Sequence, residues 1–443
     1  LKNYKTIMPV VLLGFLILSC VYLVKDAAQR SGEYNALLTS ARQKLSEGLT
    51  SEAAARYEEA LAIYPTPELY LEVGQMYLDM GETEIAMDWT EEQVLQRYPK
   101  DERGYEFMMQ CYEKEENIAS MFSTYNTAKK RGLKMDVLDE IIQPYWYAYR
   151  LGGRYTTVGE ITPSGNRVAI STDEAWGYIT PTGTSAVQQA YSSANAFING
   201  MAAVKDQSGK WWYIDQSGQK AVSQESFEDA VSEFKSCGDD MLLACADGVW
   251  NYYDLSSKDK LFGGYKEATP MVNGVAAVST DGKKWGLISK DGTELTAQEF
   301  DAVITDGNGI LCNANALFIK QNDRYYLVDT KGSKISQTGY TDAKNFTAAG
   351  SYAAVEKDGK WTFVDEQGNE LKLEGYQDAQ SFCSGLAAVK TARGWNYIDA
   401  EGTVVIQADF DAAGPFSAYG TAFVKENSEE DWTLLTLYRT QSS

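Results

Sequence analysis

The chain has 443 residues, 40 Lys+Arg against 62 Asp+Glu, a formal charge of −22 and no histidine. The missing histidine excludes His-based triads, His general bases and His metal ligands. The acidic balance excludes a nucleic-acid binder, which needs a basic footprint, and 29 Tyr with 10 Trp exclude a disordered chain.

In chain order, the first feature is an uncharged apolar run over residues 7–24, IMPVVLLGFLILSCVYLV. Eighteen residues are enough to cross a bilayer core as a helix. Lys2 and Lys5 precede the run, and Lys25, Asp26 and Arg30 follow it. The expectation is a retained single-pass anchor with a cytoplasmic N-terminus, leaving the bulk of the chain outside the cytoplasm. A cleaved signal and a lipoprotein signal with Cys20 as the lipidated residue are the alternatives. Cys111, Cys237, Cys245, Cys312 and Cys383 show no CxxC spacing, so they are read as small buried hydrophobes.

From about 33 to 150 the pattern is helical, with Ala, Leu, Glu and Met common and Gly sparse. Gly48 and Gly81 lie 33 residues apart, as do Ala53 and Ala86, and Pro65 and Pro99 lie 34 apart. Tyr57, Ala60, Gly74 and Tyr77 add to the pattern. This resembles the tetratricopeptide repeat, in which Gly sits in a tight turn, Ala lets helices approach and Pro stops the second helix. A third unit keeps part of the pattern at Tyr112, Asn117, Ala119, Phe122 and Ala128. A capping helix is expected over 134–151, with Ile141, Ile142, Tyr145 and Trp146 on its apolar side. Such helix pairs serve as a peptide groove or as a spacer.

Near residue 152 Gly, Asp-Gly turns and alternating apolar residues take over. One phrase recurs eight times, from AWGYITPTG at 175 and KWWYIDQSG at 210 to GWNYIDAEG at 394 and DWTLLTLYR at 431. Its aromatic positions are Trp176, Trp211, Trp250, Trp285, Tyr325, Trp361, Trp395 and Trp432, spaced 34 to 40 residues apart. A short strand of the type LAAVK precedes each phrase, and an aromatic with an acidic neighbour precedes that, as in Phe410-Asp411-Ala412-Ala413. A Phe often follows, as at Phe346, Phe382 and Phe416. These phrases resemble the WG-containing (KWG-type) repeats of bacterial proteins. The literal Trp-Gly stands only at Trp176-Gly177 and Trp285-Gly286. The resemblance implies a repeat scaffold with no assigned reaction.

The unit reads as an antiparallel meander. An Asp closing the aromatic strand and a Gly three residues on suit a tight turn, with the carboxylate capping backbone N–H groups; Asp215/Gly218, Asp329/Gly332, Asp365/Gly368 and Asp399/Gly402 fit. One meander cannot bury both faces, so neighbours must stack, either radially as a β-propeller or linearly as an open β-solenoid. The propeller is the preferred expectation. Residues 155–165 match the unit opening at 410–420, so a final strand is expected from the N-terminal side.

The recurring carboxylates raise the possibility of a glycosidase, but turn capping explains Asp215, Asp254, Asp329, Asp365 and Asp399. Asp281-Gly282 and Asp291-Gly292 lack the ligand spacing of a calcium loop. A tryptophan recurring in register reads as core packing. Trp212, Asn251 and Tyr326 replace the small residue after the aromatic position and are the candidate exposed ligand-binding residues.

The expected architecture is α plus all-β, with a transmembrane anchor over 1–30, a tetratricopeptide-like helical domain over 31–151 and a WG-repeat β domain over 152–443. The expected function is a membrane-anchored, non-enzymatic bacterial surface scaffold that binds a protein or a cell-wall polymer, without metal, cofactor or nucleic acid. The alternatives are a cell-wall glycan hydrolase or modifying enzyme using carboxylates, and a structural assembly factor acting through the helices.

Overall fold

A computed structural model of the chain describes residues 4–160, 166–173, 175–311, 314–348, 350–426 and 428–440, with only the backbone described over 4–22. The chain divides into two compact units, residues 1–146 and 147–441.

The first unit is helical: α1 (Tyr4–Ser46), α2 (Thr50–Ile63), α3 (Pro67–Asp79), α4 (Thr83–Thr90), α5 (Glu102–Lys114), α6 (Ile118–Lys130) and α7 (Asp136–Ile142). Consecutive helices form hairpins whose turns need a left-handed residue. Gly48 and Gly81 supply it at φ 77° and 82°, and their N–H groups donate to Leu45 and Leu78 carbonyls. In the third hairpin Glu116 takes the same role at φ 54°. Five residues after each of these turns lies a fully buried side chain: Ala53, Ala86 and then Met121, rather than the expected Ala119. Ala53 packs with Leu38 and Ala41 of α1, and Ala86 with Leu78 of α3. Tyr57 donates to Glu72, which also accepts both arms of Arg42 at 2.6 and 2.8 Å, tying α1, α2 and α3 together.

Two expectations change here. The helix anticipated over 134–151 is α7 followed by one tight turn, because Pro144 removes a helical donor. Tyr149–Tyr155 is instead a β-strand. Among the described residues no helix is long and apolar enough to cross a membrane. The run 7–24 is helical within α1, but most of it, Cys20 included, lies where side chains are outside the described residues, as does Cys312. Cys111, Cys237 and Cys383 are buried, Cys245 is half-buried, and none of the four is in a disulfide.

The second unit consists of antiparallel sheets that follow the repeat. The first contains Thr157–Val158, Val168–Thr172, Ala175–Ile179 and the long strand Ser185–Ala194. That long strand continues across into the second sheet, Met201–Asp206, Trp211–Asp215 and Lys220–Ser223. The third is Val231–Lys235, Met241–Ala246, Val249–Asp254 and Lys260–Tyr265. The fourth, fifth and sixth begin at Glu267–Ala268, Ala302–Val303 and Asp342–Ala343. The seventh is Asp378–Ala379, Ala387–Lys390, Trp395–Ile398 and Val404–Phe410. The eighth is Ala412–Ala413, Thr421–Lys425, Trp432–Leu437 and, as its outer strand, Tyr149–Tyr155.

Each sheet buries its faces against its neighbours, giving the arrangement a propeller-like character. Val278 and Ile288 of the fourth sheet pack on Tyr252 of the third. Phe363 of the sixth packs on Phe382 and Val389 of the seventh. Phe423 and Leu434 of the eighth pack on Tyr155, Val168, Ile170 and Ile179, where the repeat array begins. The second aromatic of the phrase makes the polar link between sheets. Tyr178, Tyr213, Tyr252 and Tyr397 donate their hydroxyls to the carbonyls of Asn195, Lys235, Thr269 and Gly414. The recurring Phe is its apolar partner: Tyr178–Phe197 and Tyr397–Phe416 ring centroids lie 4.7 and 4.6 Å apart, edge to face.

The Trp-Gly pair has a local cause. The strand after Gly177 bulges, since Trp176 pairs with Tyr191 but Tyr178 with Val187. A Cβ on Gly177 would lie 2.7 Å from the Val187 carbonyl oxygen. In two other repeats an Asn replaces the Gly and bonds to the bulge. Asn251 accepts from the Gly264 N–H at 2.9 Å, and Asn396 accepts from Ala408 and Asp409 N–H.

Candidate functional site

Short inner strands of five sheets, with the turns that follow them, line one region of the β unit. There a cavity of about 520 Å³ opens between the first sheet and the fifth to eighth. Val158-Gly159-Glu160 meets Thr305-Asp306-Gly307 on its wall, and Phe346, Ser381 and Ser417 line other sides. The Asn308 amide donates to the Glu160 carbonyl at 2.9 Å, linking the first and fifth sheets.

Most polar lining groups are already committed to structure. Asn345 donates to the Ile310 and Leu311 carbonyls and accepts from the Phe346 N–H. Ser381 accepts from Ala354 N–H at 3.0 Å, and Ser417 accepts from Tyr419 and Thr421 N–H. Lys344 donates to Asp378 at 2.8 Å and lies 4.7 Å from the centre of the Trp361 ring. Asp306 caps its own turn through the N–H groups of Asn308 and Ile310, both at 2.9 Å.

Glu160 differs from these groups. Among the described residues it makes no ion pair. Burial and then the repulsion of Asp306 push its carboxyl up to about 7, against the weaker opposing pull of the Gly307 N–H and Lys344. Gly307 makes the seat possible: a Cβ there would lie 2.8 Å from Glu160 Oε1.

The residues expected from sequence lie elsewhere and apart from one another, in the second, third and fifth sheets. Trp212 is half-buried; its indole donates to Asp206 at 2.8 Å, and Lys220 and Lys210 lie 4.0 and 4.6 Å from its ring centre. Tyr326 is half-buried with Lys334 over its ring at 3.5 Å. Asn251 is 1% exposed, which corrects the expectation of an exposed residue. Its amide serves the bulge. Sequence reasoning missed Glu160, although a signal existed. Five residues after the opening aromatic, the eight repeats carry Glu160, Ala196, Ser232, Pro270, Thr305, Asn345, Ser381 and Pro415, and only the first is charged.

The repeated turn carboxylates do cap turns. Asp215 accepts from Ser217 and Gln219 N–H, Asp254 from Ser256 and Ser257, Asp329 from Lys331 and Ser333, Asp365 from Gln367 and Asn369, and Asp399 from Glu401 and Thr403. Each lies in a different sheet, so they do not form a carboxylate pair.

The family described as WG containing repeat matches residues 176–211, 327–361 and 395–429. The first and third stretches begin at the aromatic position of a third strand, the second two residues after one. No curated protein matches the chain. Among solved structures, BamB from Moraxella catarrhalis is 11% identical at a TM-score of 0.42, over 65% of this chain and 98% of that one. A eukaryotic initiation factor is 13% identical at 0.41, over 66% and 86%. Hsv2 of Kluyvelomyces marxianus is 11% identical at 0.36, over 63% and 96%.

Proposed function

We propose that this protein is a non-catalytic binding scaffold that holds a protein partner at the central cavity of its β unit. The observation that carries this reading is the cavity itself, where turns from five sheets converge on a charged residue that breaks the repeat. The eight sheets close as a propeller in this reading. Support comes from the ladder between Tyr149–Tyr155 and Trp432–Leu437 and from the packing of Phe423 and Leu434 on Val168 and Ile170. The helical hairpins form a tetratricopeptide-like stalk, and the run 7–24 tethers the chain to a bacterial membrane, with the bulk of the chain outside the cytoplasm.

A photo-crosslinking residue in place of Tyr419, at the cavity wall of the full-length protein in intact cells, tests the binding role. A discrete protein adduct is expected, lost when Ser381→Trp fills the cavity. Adducts with wall glycan alone, or turnover of purified wall material that Glu160→Gln abolishes, would replace this reading with the carbohydrate-directed one.

A further inference from the structure

We infer that the cavity receives a basic side chain, an ammonium or guanidinium group, of the bound protein, with Glu160 as its counter-charge. This deepens the proposed protein-binding role and rests on it.

The argument is one of elimination among the groups that face the cavity. Asn345, Ser381, Ser417 and Thr347 are engaged in bonds between sheets or within turns, so they offer a ligand little beyond shape. Among the described residues that line the cavity the one cation, Lys344, is directed to Asp378 and the Trp361 ring. What remains is Glu160, from the first sheet, since Asp306 of the fifth already caps its own turn. Burial and then the nearby charge of Asp306 raise the Glu160 carboxyl. Gly307 leaves room for the Glu160 side chain to lie against backbone.

A half-buried carboxylate that feels a second negative charge is poorly placed until a cation arrives. An entering ammonium or guanidinium relieves the repulsion and forms a charge-assisted hydrogen bond. The formal charge of −22 also favours approach of a basic partner. The charged or titratable groups facing Glu160 are Asp306 and Lys344. Among the described residues the titratable groups that the seventh and eighth sheets bring to the cavity wall are Cys383 and Tyr419. Binding of a cation therefore releases a proton below neutral pH and tightens as pH rises through about 7.

The test uses full-length protein in detergent and three probes: Nα-acetyl-lysine methylamide, its arginine counterpart, and the lysine compound with its side-chain amine acetylated. Calorimetry at pH 6 and pH 8 is expected to show binding of the cationic probes, tighter at pH 8, and none of the acetylated one. Glu160→Gln should weaken binding at least tenfold, and Glu401→Gln, on an exposed turn, should leave it unchanged. A difference between the lysine and arginine probes identifies which basic group fits. Equal binding by Glu160→Gln, or by the acetylated probe, overturns the inference. Failure of both cationic probes also overturns it. If the Tyr419-position crosslink to a protein persists in that case, the binding role stands and only the cationic anchor falls.

Discussion

Tyr155 faces Trp432 in an antiparallel ladder, placing the first residues of the repeat unit beside its last complete strand. The ladder continues through Arg150 and Thr436 to Tyr149 and Leu437. A proline cannot occupy the middle of this strand without disrupting its pairing. Arg150→Pro is expected to destabilise the β unit by about 2–3 kcal/mol, with Arg150→Ala close to neutral. Chemical denaturation followed by tryptophan fluorescence measures both, and equal midpoints for the two variants would show that the ladder contributes little.

Two buried tyrosines should respond in opposite ways to loss of their hydroxyls. Tyr213 donates to the Lys235 carbonyl and accepts from the Leu243 N–H at 2.9 Å. Tyr213→Phe strands that buried N–H and should cost about 1–3 kcal/mol. Tyr340 has the one buried side-chain oxygen without a partner among the described residues. Tyr340→Phe should be neutral or stabilising by up to about 1 kcal/mol. Thermal unfolding of the two variants in parallel distinguishes these outcomes.

The glycine of the Trp-Gly pair is expected to matter for space. In Gly177→Ala the new methyl meets the Val187 carbonyl and the Gln189 backbone at 2.7 and 2.8 Å. A loss of about 1–3 kcal/mol is expected. Gly200→Ala tests the separate effect of backbone conformation, since Gly200 has φ 84° and open space around it. Its loss should be about 1 kcal/mol.

The stability of the β unit should depend on pH through Glu160. Its folded-state carboxyl lies above the ordinary value of 4.5, at about 7, so the folded chain holds a proton that the unfolded chain releases. That contribution is complete below about pH 4.5 and is lost as pH rises through about 7. Glu160→Gln removes the dependence. The variant should gain stability relative to the native chain at pH 8 compared with pH 5, by up to about 3 kcal/mol. Melting temperatures of both proteins at the two pH values measure it, and a constant difference would contradict the assignment.

Asp365 accepts from the Gln367 and Asn369 N–H groups at 2.9 and 2.8 Å. Asp365→Ala should cost about 1 kcal/mol by leaving those turn donors to water, while Asp365→Asn keeps an acceptor and should cost less. Denaturation midpoints rank the three proteins.

The helical hairpins were legible because their signals are local. Gly48 and Gly81 set the turns, and Ala53 and Ala86 mark the tight helix contacts. The helix expected to run to Leu151 was misread because periodicity cannot show that Tyr149 has a ladder partner at Leu437. In the candidate site, the repeat-breaking residues picked out by the sequence do not line the cavity. Trp212, Asn251 and Tyr326 break the repeat on the third strand, where the space beside them is occupied by a bulged neighbour or a lysine. Glu160 breaks it beside the inner strand, which faces the cavity.

By itself the sequence determined the repeat number, the phase of the strands and the use of Asp and Gly in the turns. Each depends on backbone geometry within a few residues, so Asp399 and Gly402 carry their own explanation. The repeat phase pointed to a closing strand from the N-terminal side, but only the tertiary structure decided that 149–155 is that strand, beside 432–437, and that Glu160 shares a cavity wall with Asp306. Those relationships depend on how whole sheets pack. A carboxyl's chemistry is set by the charges and the water around it in space, and neither is encoded in the residues beside it in sequence.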